Sequence, residues 1–240
     1  MDYGKSLELI NPKQWPPAGI KWYYSDEWIA IACADCREIL PELPKVDLVL
    51  TDPPYGVSYK KKGEEYMIGD TVNLIPYFLP LARRVLNQDG AIYLFSSTTK
   101  LVDTLPIFNT YFKLHSIIIW DKRIGQIPRQ LSHYKLRYEP ILYGSKGLHR
   151  LNGYADDVFQ CDIPRGHKRV HPTQKPIEIV EYLLRNSTNE ESLTLDPFLG
   201  SGTTAVACIN LHRKCIGIEI EEKYCEIAAK RCSQMVMDLS

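Results

Sequence analysis

Residues 51–56 read Thr51-Asp52-Pro53-Pro54-Tyr55-Gly56 and directly follow the short apolar run Val46-Asp47-Leu48-Val49-Leu50. The run has the length and β-branched character of a buried strand. Two prolines after a strand cannot continue its hydrogen-bond ladder, because each lacks an N–H and has a fixed φ. The chain therefore leaves the sheet in a stiff turn that presents a carboxylate, backbone carbonyls and an aromatic ring. Open α/β sheets bind ligands at such strand ends. The stretch suits a flat, amino-bearing molecule, although by itself it is equally compatible with a proline-rich loop.

The composition places the chain among ordinary globular proteins that fold in a reducing compartment. Its 240 residues are enough for one large α/β domain or two small ones. No apolar run approaches the roughly 20 residues of a membrane span, so we expect no membrane partner. Seven cysteines without a disulfide-like spacing favour the cytoplasm. The pair Cys33 and Cys36 lacks a second pair to complete a zinc site, and we predict no metal.

The charge of the chain is balanced overall but unevenly distributed. The formal net charge is zero, yet residues 113–175 hold 12 Lys and Arg against 5 Asp and Glu. One basic side on a neutral protein is what a nucleic-acid footprint requires, and a solvated basic surface would look the same. Two segments on that side, residues 121–137 and 147–169, show no clear period, and we interpret them as surface segments.

Apolar runs of strand length alternate with segments of helical period. Strands are expected at Trp28–Cys33, Val46–Asp52, Ala91–Phe95, Leu114–Trp120, Tyr138–Tyr143, Leu193–Leu195 and Lys214–Glu219. Helices are expected at Val72–Asn87, Pro176–Asn186 and Glu221–Met237. A further helix should begin at about Leu101, and another should follow the glycines near residue 200 and end at about Leu211. Such alternation predicts a doubly wound, mostly parallel sheet with helices on both faces. We therefore expect residues 1–240 to form a single domain, with residues 1–20 as a proline-rich, irregular arm.

The segment from Leu193 to Glu219 has the order of a nucleotide-binding unit. A strand leads into a turn with Gly200 and Gly202, then a helix, then a second strand that ends in an acid. The glycines allow a ligand to approach the backbone, and the acid accepts hydrogen bonds from ribose hydroxyls. The third glycine of the dinucleotide fingerprint is missing, and Asp196 precedes the glycines. A carboxylate there would repel a pyrophosphate, so the unit suits a ribose with a cationic end, such as S-adenosylmethionine.

Both halves together resemble the amino-methylating DNA methyltransferases, in the circularly permuted group whose catalytic motif precedes its cofactor motif. The matching stretches are Asp52-Pro53-Pro54-Tyr55, Asp196-Pro-Phe-Leu-Gly-Ser-Gly-Thr203 and His171-Pro-Thr-Gln-Lys-Pro176. The resemblance extends from about Trp22 to Cys232 and implies the S-adenosylmethionine-dependent methyltransferase fold. Family members usually carry a sizeable target-recognition insert before His171, and that region is short in this chain.

The resemblance implies a role for each matching residue. Asp52 and the Pro53 carbonyl would accept both hydrogens of an exocyclic amine and free its lone pair for attack on the sulfonium methyl. Tyr55 would stack on a base flipped out of the duplex. Asp before Pro-Pro-Tyr goes with the 6-amino group of adenine in this family. Asp52, Pro53, Pro54 and Tyr55 are thus the catalytic candidates, and Asp35, Lys175, Asp196, Phe198, Gly200, Gly202, Thr203, Glu219 and Ile220 the cofactor-binding ones.

The partners that follow are double-stranded DNA and, by resemblance, a second copy of the chain and a cognate restriction endonuclease. The expected DNA-contacting residues are Lys122, Arg123, Arg129, Lys135, Arg137, Arg165, Lys168 and Arg169. Three alternatives remain open at this point. The product could be 4-methylcytosine, the acceptor could be RNA or a protein glutamine, or the chain could be a non-catalytic DNA-binding module.

Overall fold

The core of the protein is one nine-stranded sheet, seen in a computed structural model that describes residues 15–54, 73–126, 132, 134–164, 174–190 and 192–239. Its strands lie in the order β1-β2-β9-β8-β3-β4-β6-β5-β7. The strands are β1 (Tyr24–Ser25), β2 (Ile29–Cys33), β3 (Val46–Thr51), β4 (Leu86–Phe95), β5 (Lys113–Gln126), β6 (Leu136–Ser145), β7 (Val158–Gln160), β8 (Leu193–Asp196) and β9 (Lys214–Glu219).

Helices cover both faces of this sheet, as the alternation of apolar runs predicts. They are α1 (Cys36–Ile39), α2 (Ile75–Val85), α3 (Leu101–Tyr111), α4 (Ile177–Ser187), α5 (Thr203–Asn210) and α6 (Glu222–Leu239), with one 3-10 turn at Leu40–Glu42. Buried residues of α1, α2 and α3 pack on one face, and those of α4, α5 and α6 pack on the other. In β4, Tyr93 and Phe95 belong to the second of these layers and Ile92 and Leu94 to the first, as the period of two along a strand requires. The fold class is confirmed.

Five neighbouring strands, β2, β9, β8, β3 and β4, run parallel, so their carboxyl ends meet at one edge of the sheet. Strand β8 lies directly beside β3, with Leu48 opposite Thr194 and Val49 opposite Leu195. The two motifs identified in the sequence therefore leave the sheet from adjacent strands. We call this edge, where residues 34, 52, 96, 197 and 220 follow their strands, the carboxyl edge.

Several expected boundaries differ from the structure. The helix predicted over Val72–Asn87 spans Ile75–Val85. It ends before Asn87 because strand β4 already begins at Leu86, which pairs with Val46 before a register shift. Pro176 is the residue before α4 rather than within it, as its extended ψ of 143° shows. None of the helices in the described ranges is long and apolar enough to cross a membrane.

The segments interpreted as irregular surface are more regular than expected. Strand β5 continues to Gln126, β6 begins at Leu136, and β7 adds Val158–Gln160 parallel to β5. Sequence period did not reveal β7, because three residues are too few to show alternation. Of the expected N-terminal arm, residues 1–14 lie outside the described residues, while Trp15 donates its indole N–H to the Asp26 carbonyl at 2.7 Å.

Candidate active site

The turns that follow β3 and β8 are joined by the carboxylate of Asp196. Its Oδ1 accepts a hydrogen bond from Thr51 Oγ1 at 2.8 Å and from the Phe198 N–H at 3.1 Å. Its Oδ2 accepts from Thr204 Oγ1 at 2.6 Å. Only 4% of Asp196 is exposed, so the carboxylate does not face a ligand as the sequence suggested. It fixes the end of the β3 strand against the glycine turn and the start of α5.

Burial also changes the protonation of this carboxylate. Removal from water raises the pKa of Asp196 to about 6, although hydrogen bonds from Thr204, Thr51 and Phe198 oppose the shift. The nearby charge of Asp52 adds to the increase. A carboxylate held by three donors in this way is a structural bridge with a stability that depends on pH.

The glycine turn has two residues in the left-handed region, for different reasons. Gly202 has φ of 82°, and a Cβ at this position would lie 2.8 Å from the Cβ of Ala228 in helix α6. Gly200 has φ of 55° and no heavy atom within 4 Å of the position that a Cβ would take. Gly202 thus allows close packing of the turn on α6, whereas Gly200 borders open space at the carboxyl edge.

Glu219 closes the other side of this turn at the end of β9. Its Oε2 accepts a hydrogen bond from the Gly200 N–H at 2.8 Å, and its Oε1 accepts from the Glu221 N–H at 2.8 Å. Burial raises the pKa of Glu219, against the effect of those backbone N–H groups. Ile220, the next residue, is 46% exposed, and it leaves an apolar surface beside the acid. This arrangement fits the ribose acceptor and ring-packing residue that were expected.

The remaining cofactor candidates other than Lys175 lie at the same edge. Strand β2 pairs with β9, and the Ala34 N–H donates to the Glu219 carbonyl at 3.0 Å, which brings Asp35 to this side. Asp35 is the N-cap of α1 and accepts hydrogen bonds from the Arg37 side chain, which lower the pKa of its carboxyl. Phe198 packs edge-to-face on Phe78 at 5.2 Å between ring centroids. Thr203, the first residue of α5, is 7% exposed.

Asp52 lies at one end of a row of alternating charges that the sequence did not predict. The ammonium of Lys175 pairs with Asp52 Oδ2 and lies 3.2 Å from Glu139 Oε2. The other oxygen of Glu139, Oε1, lies 3.3 Å from the ammonium of Lys122. We call Lys122, Glu139, Lys175 and Asp52 the charge row. Four separate segments contribute one residue each, and they meet only through the sheet order.

Opposite charges in the charge row outweigh the cost of burial. Burial alone would lower the pKa of Lys175, yet Asp52 and Glu139 together raise it above its ordinary value. Burial alone would raise the pKa of Glu139, yet Lys175 and Lys122 together lower it. Both groups are therefore ionised at neutral pH. Sequence inspection missed Glu139, because a single Glu before Pro140 gives no sign of its partners.

The expected DNA-contacting residues divide into three groups. Lys122 is a correction: its side chain is 3% exposed and turned toward Glu139, so it does not reach the surface. Arg123, Lys135 and Arg137 are exposed, and Arg137 makes two hydrogen bonds to Asp121 at 2.7 and 2.6 Å. Arg129, Arg165, Lys168 and Arg169, like the catalytic candidate Tyr55, lie outside the described residues.

The exposed group belongs to a two-stranded ribbon that extends beyond the sheet. Strand β4 ends at Phe95 opposite Ile141, whereas β5 and β6 remain paired as far as Gln126 and Leu136. Because β6 runs antiparallel to β4, its first residues extend from the carboxyl edge. We call residues 121–126 and 136–140 the β-ribbon. It carries basic and apolar exposed side chains, and it includes Lys122 and Glu139 of the charge row.

A mostly parallel sheet with a glycine turn and an acid-tipped strand at its carboxyl edge is typical of an α/β fold that binds a nucleotide-like cofactor. A model of the N6/N4-type DNA methylase family matches residues 46–230, most of the chain. This protein belongs to that family. The match includes both the turn after β3 and the turn after β8, so the resemblance seen in the sequence is confirmed.

Individual relatives agree with the family. The type II methyltransferase M2.LlaDCHI of Lactococcus lactis subsp. cremoris is 28% identical over 89% of this chain and 93% of its own length. The DNA adenine methyltransferase YhdJ of Escherichia coli K12 is 26% identical over 83% of this chain and 80% of its own.

Solved structures show the same architecture. The complex of M1.HpyAVI with SAM aligns with a TM-score of 0.67 and 28% identity, over 85% of this chain and 99% of that one. The cytosine-N4-specific PvuII DNA methyltransferase aligns with a TM-score of 0.73 over 91% and 94%. At 18% identity, the PvuII structure supports the fold alone.

The Asp196 bridge predicts an unusual dependence of stability on pH. The folded-state pKa of about 6 lies above the ordinary value of 3.8. Above pH 6 the buried carboxylate is charged and destabilises the native state, and this destabilisation disappears as the pH falls toward 4 and the group binds a proton. Relative to Asp196→Asn, wild-type protein should lose about 1–2 kcal/mol of unfolding free energy between pH 5 and pH 8. Urea denaturation of both proteins at the two pH values measures this, and a constant difference would contradict it.

The two glycines of the turn should respond differently to alanine. Gly200→Ala meets only the backbone strain of a left-handed residue, about 1 kcal/mol. Gly202→Ala meets the same strain and in addition overpacks against Ala228, which typically adds about 1–3 kcal/mol. Urea unfolding of the two variants at one pH gives the comparison. Equal losses of stability would show that contact with α6 does not select Gly202.

Proposed function

We propose that this protein transfers a methyl group from S-adenosylmethionine to the N6 amine of adenine in double-stranded DNA. The observation that carries the proposal is the junction of Asp52 and the glycine turn. Thr51, the residue before Asp52, is hydrogen-bonded to Asp196, the residue that begins the turn. An acceptor for amine hydrogens and a cofactor loop are thereby held side by side at the carboxyl edge.

The residues around the glycine turn fit this cofactor. Gly200 leaves space at the backbone, Glu219 offers a carboxylate for ribose hydroxyls, and exposed Ile220 offers an apolar surface for a flat ring. Asp35 would contact the adenine of the cofactor from the end of β2. Phe198 and Thr203 would line the turn, and Asp196 would hold the turn in place through its hydrogen bonds to Thr51 and Thr204. When bound, S-adenosylmethionine supplies an electrophilic methyl group on a sulfonium.

Asp52 performs the chemistry that the amine requires. The lone pair of an exocyclic amine is delocalised into the base, and acceptors for its two hydrogens favour a tetrahedral nitrogen with an available lone pair. The Asp52 carboxylate and the Pro53 carbonyl are such acceptors, and Pro54 keeps the turn stiff. This interaction strengthens as the nitrogen becomes positive, so it favours the transition state over the ground state. Tyr55 would stack on the base once it has left the duplex.

The choice of adenine rests on the resemblance, in which Asp before Pro-Pro-Tyr goes with the 6-amino group. The relative YhdJ, named as a DNA adenine methyltransferase, supports that choice. The N4 amine of cytosine would need the same two acceptors, so the geometry of Asp52 alone does not separate the two bases. A chemical analysis of the product separates them directly.

The β-ribbon supports double-stranded DNA as the substrate. The major groove of B-DNA admits a two-stranded ribbon, and basic side chains on it would meet phosphates. Arg123, Lys135 and Arg137 are exposed on or beside the ribbon, at the edge that carries Asp52. In this chain the ribbon would take part of the role of the recognition insert that is short here.

We infer a cytoplasmic location from the state of the cysteines. All seven cysteines are free thiols, which suits the reducing cytoplasm. A homodimer and a cognate restriction endonuclease stay predictions of the family resemblance.

The function is tested by transfer of radiolabelled methyl from S-adenosylmethionine to unmethylated duplex DNA, with tRNA and a protein mixture as parallel acceptors. We expect label in DNA alone and, after digestion to nucleosides, in N6-methyladenine. Label in 4-methylcytosine would overturn the choice of base. Label only in tRNA or protein would overturn DNA as the substrate.

Asp52→Asn tests the catalytic carboxylate, because it keeps the shape of the side chain and removes its charge. It should bind S-adenosylmethionine with nearly wild-type affinity in calorimetry, while the transfer rate falls by about 100-fold or more. Transfer at the wild-type rate by this variant would show that Asp52 is not the amine acceptor.

A second prediction concerns DNA binding by the β-ribbon and by Lys135, the residue directly before its second strand. Lys135→Gln should weaken binding to duplex DNA and reduce the slope of log affinity against log salt by about one, as expected for one lost phosphate contact. Lys113→Gln removes an exposed charge at the start of β5, at the opposite edge of the sheet, and should leave affinity and slope unchanged. Fluorescence anisotropy over a salt series compares the two, and equal effects would contradict the ribbon as the DNA-binding element.

A further inference from the structure

Lys175 is shared between two carboxylates, of which only one has a role in the proposed chemistry. Its ammonium pairs with Asp52 Oδ2 and lies 3.2 Å from Glu139 Oε2. The side chain is 13% exposed, so water does little to weaken either attraction. The ring of Phe95, with its centroid 5.1 Å from the ammonium, covers a further side. The cation is thus confined between Asp52 and Glu139.

This confinement creates a conflict for Asp52. In the proposed mechanism Asp52 accepts one amine hydrogen and the Pro53 carbonyl the other, and a carboxylate oxygen that already accepts from an ammonium is a weaker acceptor for that hydrogen. Release of Asp52 Oδ2 requires Lys175 to move, and a buried ammonium without a carboxylate partner is strongly destabilised. A second carboxylate within reach removes that cost, because the cation can shift toward it and remain paired. Glu139 is placed for this role.

Lys122 completes the arrangement from the other side of Glu139. Its ammonium is 3.3 Å from Glu139 Oε1, and only 3% of its side chain is exposed. Lys122 therefore keeps Glu139 ionised and limits how strongly Glu139 attracts Lys175. The two cations and two carboxylates of the charge row sum to zero, and Lys175 keeps a carboxylate partner whether it lies nearer to Asp52 or to Glu139.

We propose that Glu139 is a positioning residue that accepts Lys175 and thereby frees Asp52 to bind the amine of the target base. The inference rests on the proposed function, since it assigns a partner to the same catalytic carboxylate. Glu139 acts only through Lys175 and touches no reacting atom. Without Glu139, Lys175 would remain on Asp52 and obstruct the amine.

Two variants test this with opposite expected results. Glu139→Gln removes the second carboxylate and leaves Lys175 on Asp52, so kcat should fall about tenfold or more while the affinity for S-adenosylmethionine and the KM for DNA stay near their wild-type values. Lys122→Met removes the cation on the other side of Glu139, which then attracts Lys175 more strongly, so kcat should stay at or above its wild-type value.

Controls separate positioning from a loss of folding. Glu139→Asp retains the charge and should restore part of kcat. Glu181→Gln alters a carboxylate that pairs with Arg185 at 3.5 Å on helix α4, and it should leave kcat unchanged. Thermal unfolding of each variant shows whether it is folded, and if Glu139→Gln is not, the kcat of Lys122→Met decides the matter.

The outcomes also distinguish this inference from the function on which it rests. Methyl transfer to DNA by wild-type protein and its loss in Asp52→Asn establish the function whatever Glu139 does. With that in place, the positioning role is supported by a fall in kcat of Glu139→Gln that Glu139→Asp partly restores, with unchanged S-adenosylmethionine affinity and no fall in Lys122→Met. No fall in kcat of folded Glu139→Gln, or an equal fall in Lys122→Met, would overturn it.

Discussion

The site depends on one buried carboxylate that joins two parts of the chain 145 residues apart in sequence. Asp196 accepts hydrogen bonds from Thr51 at the end of β3 and from Thr204 at the start of α5. Hydrogen bonds to a buried charged group are among the stronger ones in proteins, and loss of a partner leaves an unsatisfied charge. The separation between the catalytic turn and the cofactor turn is therefore fixed by side chains as well as by the sheet. Neither turn can move independently of the other without breaking this bridge.

Acids at the carboxyl edge differ in function because their surroundings differ. Asp196 is enclosed by neutral donors and has a raised pKa, which suits a structural bridge. Glu219 receives two backbone N–H groups and is only partly buried, so it can still accept hydrogen bonds from a ligand. Asp52 and Glu139 share a cation and lie where a substrate amine would enter. Residue type alone would assign all four the same chemistry, and their environments give each a different role.

Sequence reasoning reached the parts of this site that local pattern encodes. The β3 and β8 strands, the glycine turn and the acid at Glu219 follow from runs, breakers and spacing, and the structure brings them to one edge. The same reasoning could not see the charge row, because its members come from four segments that touch only in three dimensions. It also misjudged Lys122, since a lysine next to Arg123 in a basic segment gives no sign that strand β5 turns it inward. The orientation of Asp196 was equally hidden, because the two threonines that bind it gave no local signal.

A buried row of alternating charges contributes little to the stability of a protein. The charge row is therefore better explained by a role in the site than by a role in folding. Desolvation of each ion offsets much of the Coulomb attraction, so apolar residues of the same size would often be more stable. The row also differs from a single ion pair: Lys175 has two carboxylate partners, and these allow it to change position at little cost. Its location reinforces the point, because it lies between the turn that would hold the amine and the base of the β-ribbon that would hold DNA. Burial makes the charges strong enough to matter, and their alternation keeps them free to rearrange when a base enters.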